Sequence, residues 1–152
     1  MRDSVTVHMK APASKVWELV SDVTRIGEFS PETFEAEWTD GATGPAVGAR
    51  FKGHVKRNGI GPIYWSPCKV TVCEPGKEFA FAVVGPGDRV VNNWGYRIEA
   101  QGEESDVSEY FELAPMLPMR LYWLLMGRLR GKTNRKGMTT TLERIRDAVE
   151  AS

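Results

Sequence analysis

The hydrophobic pattern of the chain changes its period, and this change restricts the fold more than any other feature. From residue 33, polar and apolar residues alternate with period two for about eighty residues, whereas the pattern after Pro118 has helical spacing and continues to about Val149. The alternation predicts strands near 33–39, 48–57, 63–74, 77–84, 90–100 and 105–113. We therefore expect a run of strands followed by one long helix.

The segments between these strands contain the residues that favour tight turns. In Pro75-Gly76, proline presets φ and glycine accepts a positive φ, as a type II turn requires. Similar glycine- and proline-rich segments lie at 41–48, 58–62, 85–88 and 101–103. Because parallel strands need a long crossover, strands joined by such short turns are expected to be antiparallel.

The N-terminal region adds one strand and two short helices. Arg2–Met9 alternates, which predicts a first strand, and Pro12 fits the start of a helix whose apolar stripe runs through Val16. A further short helix is expected around Thr24–Phe29. The glycines within 127–137 leave open whether the C-terminal helix is continuous. A seven-stranded antiparallel sheet would curl, and only this helix is long enough to cover its concave face.

Composition restricts the classes of partner. The 152 residues fit a single domain over 1–152, and equal numbers of basic and acidic residues argue against nucleic acid. No apolar signal segment opens the chain, and the run Leu121–Met126 is too short to span a bilayer. Cys68 and Cys73 are expected on opposite faces of a strand, so no local disulfide is predicted and a reducing cytoplasm fits.

Basic residues concentrate in 116–146, whereas 18–40 is acidic. The simplest interpretation is a solvated helix face. The alternatives are peripheral contact with an anionic membrane surface and an acidic ligand group near that helix.

Several segments resemble one known superfamily. The strand–Ala-Pro–helix in VTVHMKAPASKVWELVSDV, then VGARFKGHV, WSPCKVTVCEPGKEFAF and WGYRIEA, are similar to the START-like (SRPBCC) superfamily, in particular its polyketide cyclase/dehydrase and lipid-transport branch. The resemblance implies an α+β helix-grip fold, with a curved seven-stranded antiparallel sheet around a long C-terminal helix. It also implies a hydrophobic cavity between the two. Members include lipid carriers, other ligand binders and aromatic polyketide cyclases.

Strand alternation predicts which side chains would line such a cavity. Strand 63–74 is ambiguous, because Tyr64 and Cys68 compete with Trp65 and Cys73 for the inner face. The predicted lining residues on the other strands are Phe51, Val55, Arg57, Phe79, Phe81, Trp94, Tyr96, Val107, Glu109 and Phe111, and the helix adds Leu121 and Leu125.

Arg57 and Glu109 are charged residues on otherwise apolar faces. Since an unpaired buried charge is costly, they could pair with each other or lie at a solvated strand end. Alternatively, they could orient a ligand in an apolar pocket, as could Asn92 and Tyr64.

Motifs of common catalytic sites and of nucleotide binding are absent from the sequence. His8 and His54 fall on predicted outer positions, so neither a metal nor a cofactor is expected. The resemblance to a superfamily that includes aromatic cyclases implies one kind of enzyme, a cyclase or dehydratase, in which Arg57 polarises a carbonyl and Glu109 or Tyr64 moves a proton.

Three functions follow, in order of preference. The first is binding or transport of a hydrophobic small molecule, lipid or polyketide-like, and the second is the cyclase or dehydratase. The third is a protein-interaction or regulatory module, suggested by Tyr122, Trp123 and Met126, which exceed what one helix face can bury. Ligand identity and oligomeric state cannot be derived from these patterns.

Overall fold

The structure is a computed structural model that describes residues 2–56, 63–113 and 117–151, with the backbone alone over 117–133. It has the α+β architecture expected. Between β1 and β2 lie the helix α1 and a short 3-10 helix, and another 3-10 turn precedes β6. The elements in chain order are β1 (Arg2–Met9), α1 (Ala13–Val20), the 3-10 helix (Val23–Glu28), β2 (Thr33–Thr39), β3 (Arg50–Lys56), β4 (Ile63–Glu74), β5 (Glu78–Val84), the 3-10 turn (Pro86–Asp88), β6 (Val90–Gln101), β7 (Glu104–Leu113) and α2 (Leu117–Ala151).

The seven strands form one antiparallel sheet in the order β1-β7-β6-β5-β4-β3-β2. Consecutive strands from β2 to β7 are neighbours, as the short turns predicted, and β1 pairs with β7. The edges of the sheet are therefore β1 and β2. The predicted helix-grip fold is confirmed.

Helix α2 runs without a break for 35 residues, which answers the question left open by its glycines. In its C-terminal half, Met138, Leu142, Ile145 and Val149 are buried on one face and pack into the core. This apolar face provides the packing that offsets the low helix propensity of glycine. Within the described ranges, no helix is both long and apolar enough to cross a membrane.

A bulge in β4 overturns the prediction for the two cysteines. Cys68 pairs with Val83 and Cys73 pairs with Phe79, and these two β5 residues share the concave face. The register shifts just after Val70, where the bulge adds one residue to β4 and changes its alternation. Both cysteines therefore face the core, Cys68 buried and Cys73 half-buried, and both are free thiols.

Candidate functional site

A cavity of about 300 Å³ lies between the concave face of the sheet and α2. Its described lining comes from β2 to β7, from α2, and from the 3-10 helix and the segment that joins it to β2. Most lining side chains are apolar or aromatic, and Glu32 and Glu109 are the acidic residues in the described part of the lining.

Aromatic residues predicted from strand alternation form much of the wall. Phe51, Phe81, Trp94 and Tyr96 line the cavity, as does Val55. The rings of Phe51 and Phe81 meet edge to face with centroids 5.1 Å apart. Such contacts fix ring orientation, so this wall has a defined shape.

Three other predicted wall residues lie deeper in the core. Phe79, Val107 and Phe111 are buried but are not among the residues that line the cavity. Phe79 packs edge to face on Trp17, and Phe111 lies beside Trp94 on the neighbouring strand with ring centroids 5.2 Å apart. Alternation correctly predicts their face, but it carries no information about where along the strand the cavity lies.

Glu109 is a buried carboxyl that faces the cavity. It is 6% exposed, and its Oε2 atom has no hydrogen-bond partner among the described residues. Burial raises the pKa of this carboxyl well above its ordinary value of 4.5, so the uncharged form is favoured. Arg57, its predicted partner, lies outside the described residues.

Tyr96 lies beside Glu109, because the two residues are directly paired between β6 and β7. It is 5% exposed, and its ring meets Phe29 edge to face. Burial, and then the neighbouring Glu109, raise the pKa of the phenol well above 10.0. This part of the wall therefore presents a hydroxyl and a carboxyl whose uncharged form is favoured by burial.

The helix contributes a polar and open face that the sequence analysis missed. Asn134, Gly137 and Thr141 line the cavity with Met138, and a Cβ added to Gly137 would meet nothing within 4 Å. The Thr141 hydroxyl donates to the Gly137 carbonyl at 2.8 Å. The predicted helical residues, Leu121 and Leu125, lie where the structure describes only the backbone of α2.

Residues 30–33 form another part of the lining that the sequence analysis missed. Ser30 Oγ accepts hydrogen bonds from the backbone N–H of Thr33 at 3.0 Å and of Glu32 at 3.4 Å, which fixes this turn. The turn lies close to the sheet because residue 27 is glycine: a Cβ there would be 2.1 Å from the Phe34 carbonyl oxygen. Loop residues have no periodicity, so alternation could not have found them.

Two further sequence candidates lie at the wall. Tyr64 is 40% exposed, so it lies where the cavity meets the surface. Asn92 lines the cavity and accepts a hydrogen bond from Trp94 Nε1 at 3.1 Å, which holds the indole in place.

The two histidines and Cys68 also have side chains of the kinds that act in catalysis or bind metals. His8 bonds Asp106 and Glu104, and His54 bonds Glu35, each at 2.7 Å, and neither histidine lines the cavity. In the described ranges, no cluster of three or more potential ligands could hold a metal. Cys68 lines the cavity, but burial raises its pKa to about 12, which makes it a poor nucleophile.

Comparisons with known proteins agree with this fold. Protein NE0264 from Nitrosomonas europaea matches with a TM-score of 0.72 at 8% identity, covering 99% of this chain and 95% of that one. The Polyketide_cyc-like protein Cgl2372 from Corynebacterium glutamicum is 27% identical, with a TM-score of 0.55 and coverage of 99% and 87%. The di-domain ARO/CYC protein BexL from the BE-7585A biosynthetic pathway matches with a TM-score of 0.69 at 16% identity, covering 99% of this chain and 46% of BexL.

At 8% and 16% identity, the likenesses to NE0264 and BexL concern the fold alone. No curated protein matches the chain. The family model described as polyketide cyclase / dehydrase and lipid transport matches residues 2–150. The chain therefore belongs to the polyketide cyclase/dehydrase and lipid transport family.

Proposed function

We propose that this protein binds a hydrophobic small molecule, lipid or polyketide-like, in the cavity between the sheet and α2. The cavity itself carries the proposal: its 300 Å³ would hold about ten waters, and its aromatic wall lies opposite a smaller set of polar side chains. This combination is typical of small-molecule sites. The family description, which includes lipid transport, supports the same function.

The energetics of packing also favour an occupant. Protein interiors are close-packed, and a dry void costs about 24 cal/mol per Å³. Because this cavity reaches the surface at Tyr64, that cost is an upper limit here, and an apolar ligand gains mainly by burying the aromatic wall. A ligand that filled the cavity would restore the lost contacts.

The first test is native mass spectrometry of freshly purified protein, with solvent extraction of any bound compound. We expect a hydrophobic compound to copurify or, when the protein is purified empty, a saturable site for the neutral fluorophore N-phenyl-1-naphthylamine. Absence of both would contradict the proposal.

Two matched variants locate the site. Val83 lines the cavity, so Val83→Phe places a ring inside it and should weaken fluorophore binding at least tenfold. Val47 is 69% exposed and does not line the cavity, so Val47→Phe is the same change outside and should leave affinity unaltered. Equal affinity in both variants would place the fluorophore elsewhere.

A cyclase or dehydratase is the second candidate, and the position of Glu109 favours it. The uncharged form of Glu109 can protonate the carbonyl oxygen that is attacked in an aldol ring closure, and the carboxylate that remains can take the proton that the attacking carbon loses. The same pair of transfers, a proton to the departing hydroxyl and one from the neighbouring carbon, releases water and restores the carboxyl. Tyr64, the other proposed proton carrier, lies at the exposed part of the lining. If the protein is such an enzyme, the wild type should convert a synthetic polyketone into a product 18 Da lighter, and Glu109→Gln should not.

The interaction-module hypothesis has no comparable observation in its favour. Its residues Tyr122, Trp123 and Met126 lie where only the backbone of α2 is described. The same holds for several basic residues proposed to contact a membrane surface, so both ideas still rest on sequence alone.

A further inference from the structure

The cavity is closed at one end and open at the other. Its lining on β5 and on α2 ends at Phe81 and Thr141. Phe79 and Leu142 lie just beyond these two residues, where they are buried in the core and do not line the cavity. At the other end, Tyr64 lines the cavity and is exposed at the surface. A ligand that enters past Tyr64 is therefore stopped by the packed core.

Gly137 leaves part of the helical wall empty. Asn134, Gly137 and Thr141 lie on one side of α2, at positions i, i+3 and i+7, and all three line the cavity. A Cβ built on Gly137 would meet no described atom within 4 Å, so the space beside this residue belongs to the cavity. Neither helix propensity nor a close neighbour accounts for a glycine here. Any larger residue at this position would narrow the cavity.

The volume of the cavity limits the size of the ligand. A volume of 300 Å³ corresponds to roughly ten to twelve chain carbons, since a methylene group takes about the space of a water. One alkyl chain of that length fits, and so does a small set of rings of equal volume. The two long acyl chains of a bilayer-forming lipid do not fit.

We propose that the ligand has a single apolar body of at most roughly ten to twelve chain carbons, or the equivalent in rings, and that Gly137 determines this limit. A side chain at position 137 would occupy space into which the ligand extends. The inference rests on the proposed function, because it names the ligand class and a specificity-determining residue of the same cavity.

The test measures how well neutral 1-alkanols, from hexanol to tetradecanol, displace N-phenyl-1-naphthylamine. Each methylene group that is buried in the cavity should raise the affinity about fourfold. This gain should stop at about ten to twelve carbons, because further methylene groups extend past Tyr64 into water.

Two variants of Gly137 test whether this residue sets the limit. Leucine adds four carbons, so Gly137→Leu should bind dodecanol at least about tenfold more weakly, whereas the affinity for hexanol should change less than about twofold. In this variant the gain should stop about four carbons earlier than in the wild type. Gly137→Ala adds one carbon and should weaken dodecanol binding about fourfold.

Lys136→Leu is the matched control. It adds leucine at the neighbouring position of α2, which is exposed and does not line the cavity. This variant should bind the whole alkanol series as the wild type does. Circular dichroism of all variants checks the fold, and if Gly137→Leu does not fold, the fourfold loss in Gly137→Ala decides.

A gain in affinity that continues to tetradecanol would overturn the inference. So would a gain that stops at the same chain length in the Gly137 variants as in Lys136→Leu, or binding of the fluorophore without any alkanol. In these cases, fluorophore binding that Val83→Phe weakens would leave the proposed function intact. Failure of every alkanol and of the fluorophore to bind would overturn both.

Discussion

Among single residues, Glu109 connects the cavity to the stability of the fold. Its carboxyl has an ordinary pKa in the unfolded chain and a raised pKa in the folded one. As pH rises above about 4.5, the unfolded chain releases this proton first, so the carboxyl favours unfolding increasingly until pH reaches the folded pKa. The phenol of Tyr96 has a similar effect on stability, but only at pH values above its ordinary pKa of 10.0.

Glu109→Gln removes this pH dependence while preserving the size of the side chain. The free energy of unfolding of the variant relative to the wild type should therefore increase with pH above about 4.5, by up to about 1.4 kcal/mol per pH unit. Urea denaturation between pH 4 and pH 8 measures this difference. A difference that stays constant over that range would contradict a raised pKa for Glu109.

The two free thiols should differ in reactivity. With a pKa of about 12, only about one Cys68 side chain in ten thousand is a thiolate at pH 8, and the residue is buried. Burial raises the pKa of Cys73 as well, but this thiol is only half-buried. Iodoacetamide followed by peptide mapping should show Cys73 alkylated well before Cys68, and equal rates would contradict this arrangement.

Among the elements, the strands could be predicted because alternation is a local property. The inward positions of Phe51, Phe81 and Glu109 follow directly from this alternation. The alternation in β4 is broken by its bulge, and nothing in the residues around Val70 indicates a bulge there, so the prediction that Cys68 and Cys73 lie on opposite faces was wrong. Such a register shift depends on the partner strand.

Two glycines test the packing on opposite sides of the sheet. A Cβ on Gly95 in β6 would lie 2.4 Å from the ring of Tyr110, whose hydroxyl donates to Glu78 at 2.7 Å. Gly95→Ala must displace this ring and should destabilise the protein by roughly 1–3 kcal/mol. Urea denaturation measures the effect.

Gly137 provides the matched control on α2, because a Cβ there enters open space. Gly137→Ala should raise helix propensity and stabilise the protein by up to about 1 kcal/mol. Stabilisation by Gly95→Ala, or a large loss from Gly137→Ala, would contradict the packing described for these two positions.

At the scale of the whole molecule, the cavity results from the meeting of distant segments. Ser30, Asn134 and Thr141 become neighbours of the aromatic wall only when α2 and the turn before β2 close over the sheet. Their polarity gave no reason to predict them as lining residues, and periodicity cannot measure a volume. The sequence could therefore predict the fold and one wall of the site, whereas the opposite wall required the structure.

The central claim is that a hydrophobic molecule binds between the sheet and α2, and two methionines can test it directly. Met138 lines the cavity, whereas Met9 is fully buried in the core away from it. With methyl-labelled methionine and saturating N-phenyl-1-naphthylamine, NMR should show intermolecular nuclear Overhauser effects to the Met138 methyl group and none to that of Met9. A bound fluorophore with no such contact to Met138 would contradict the account.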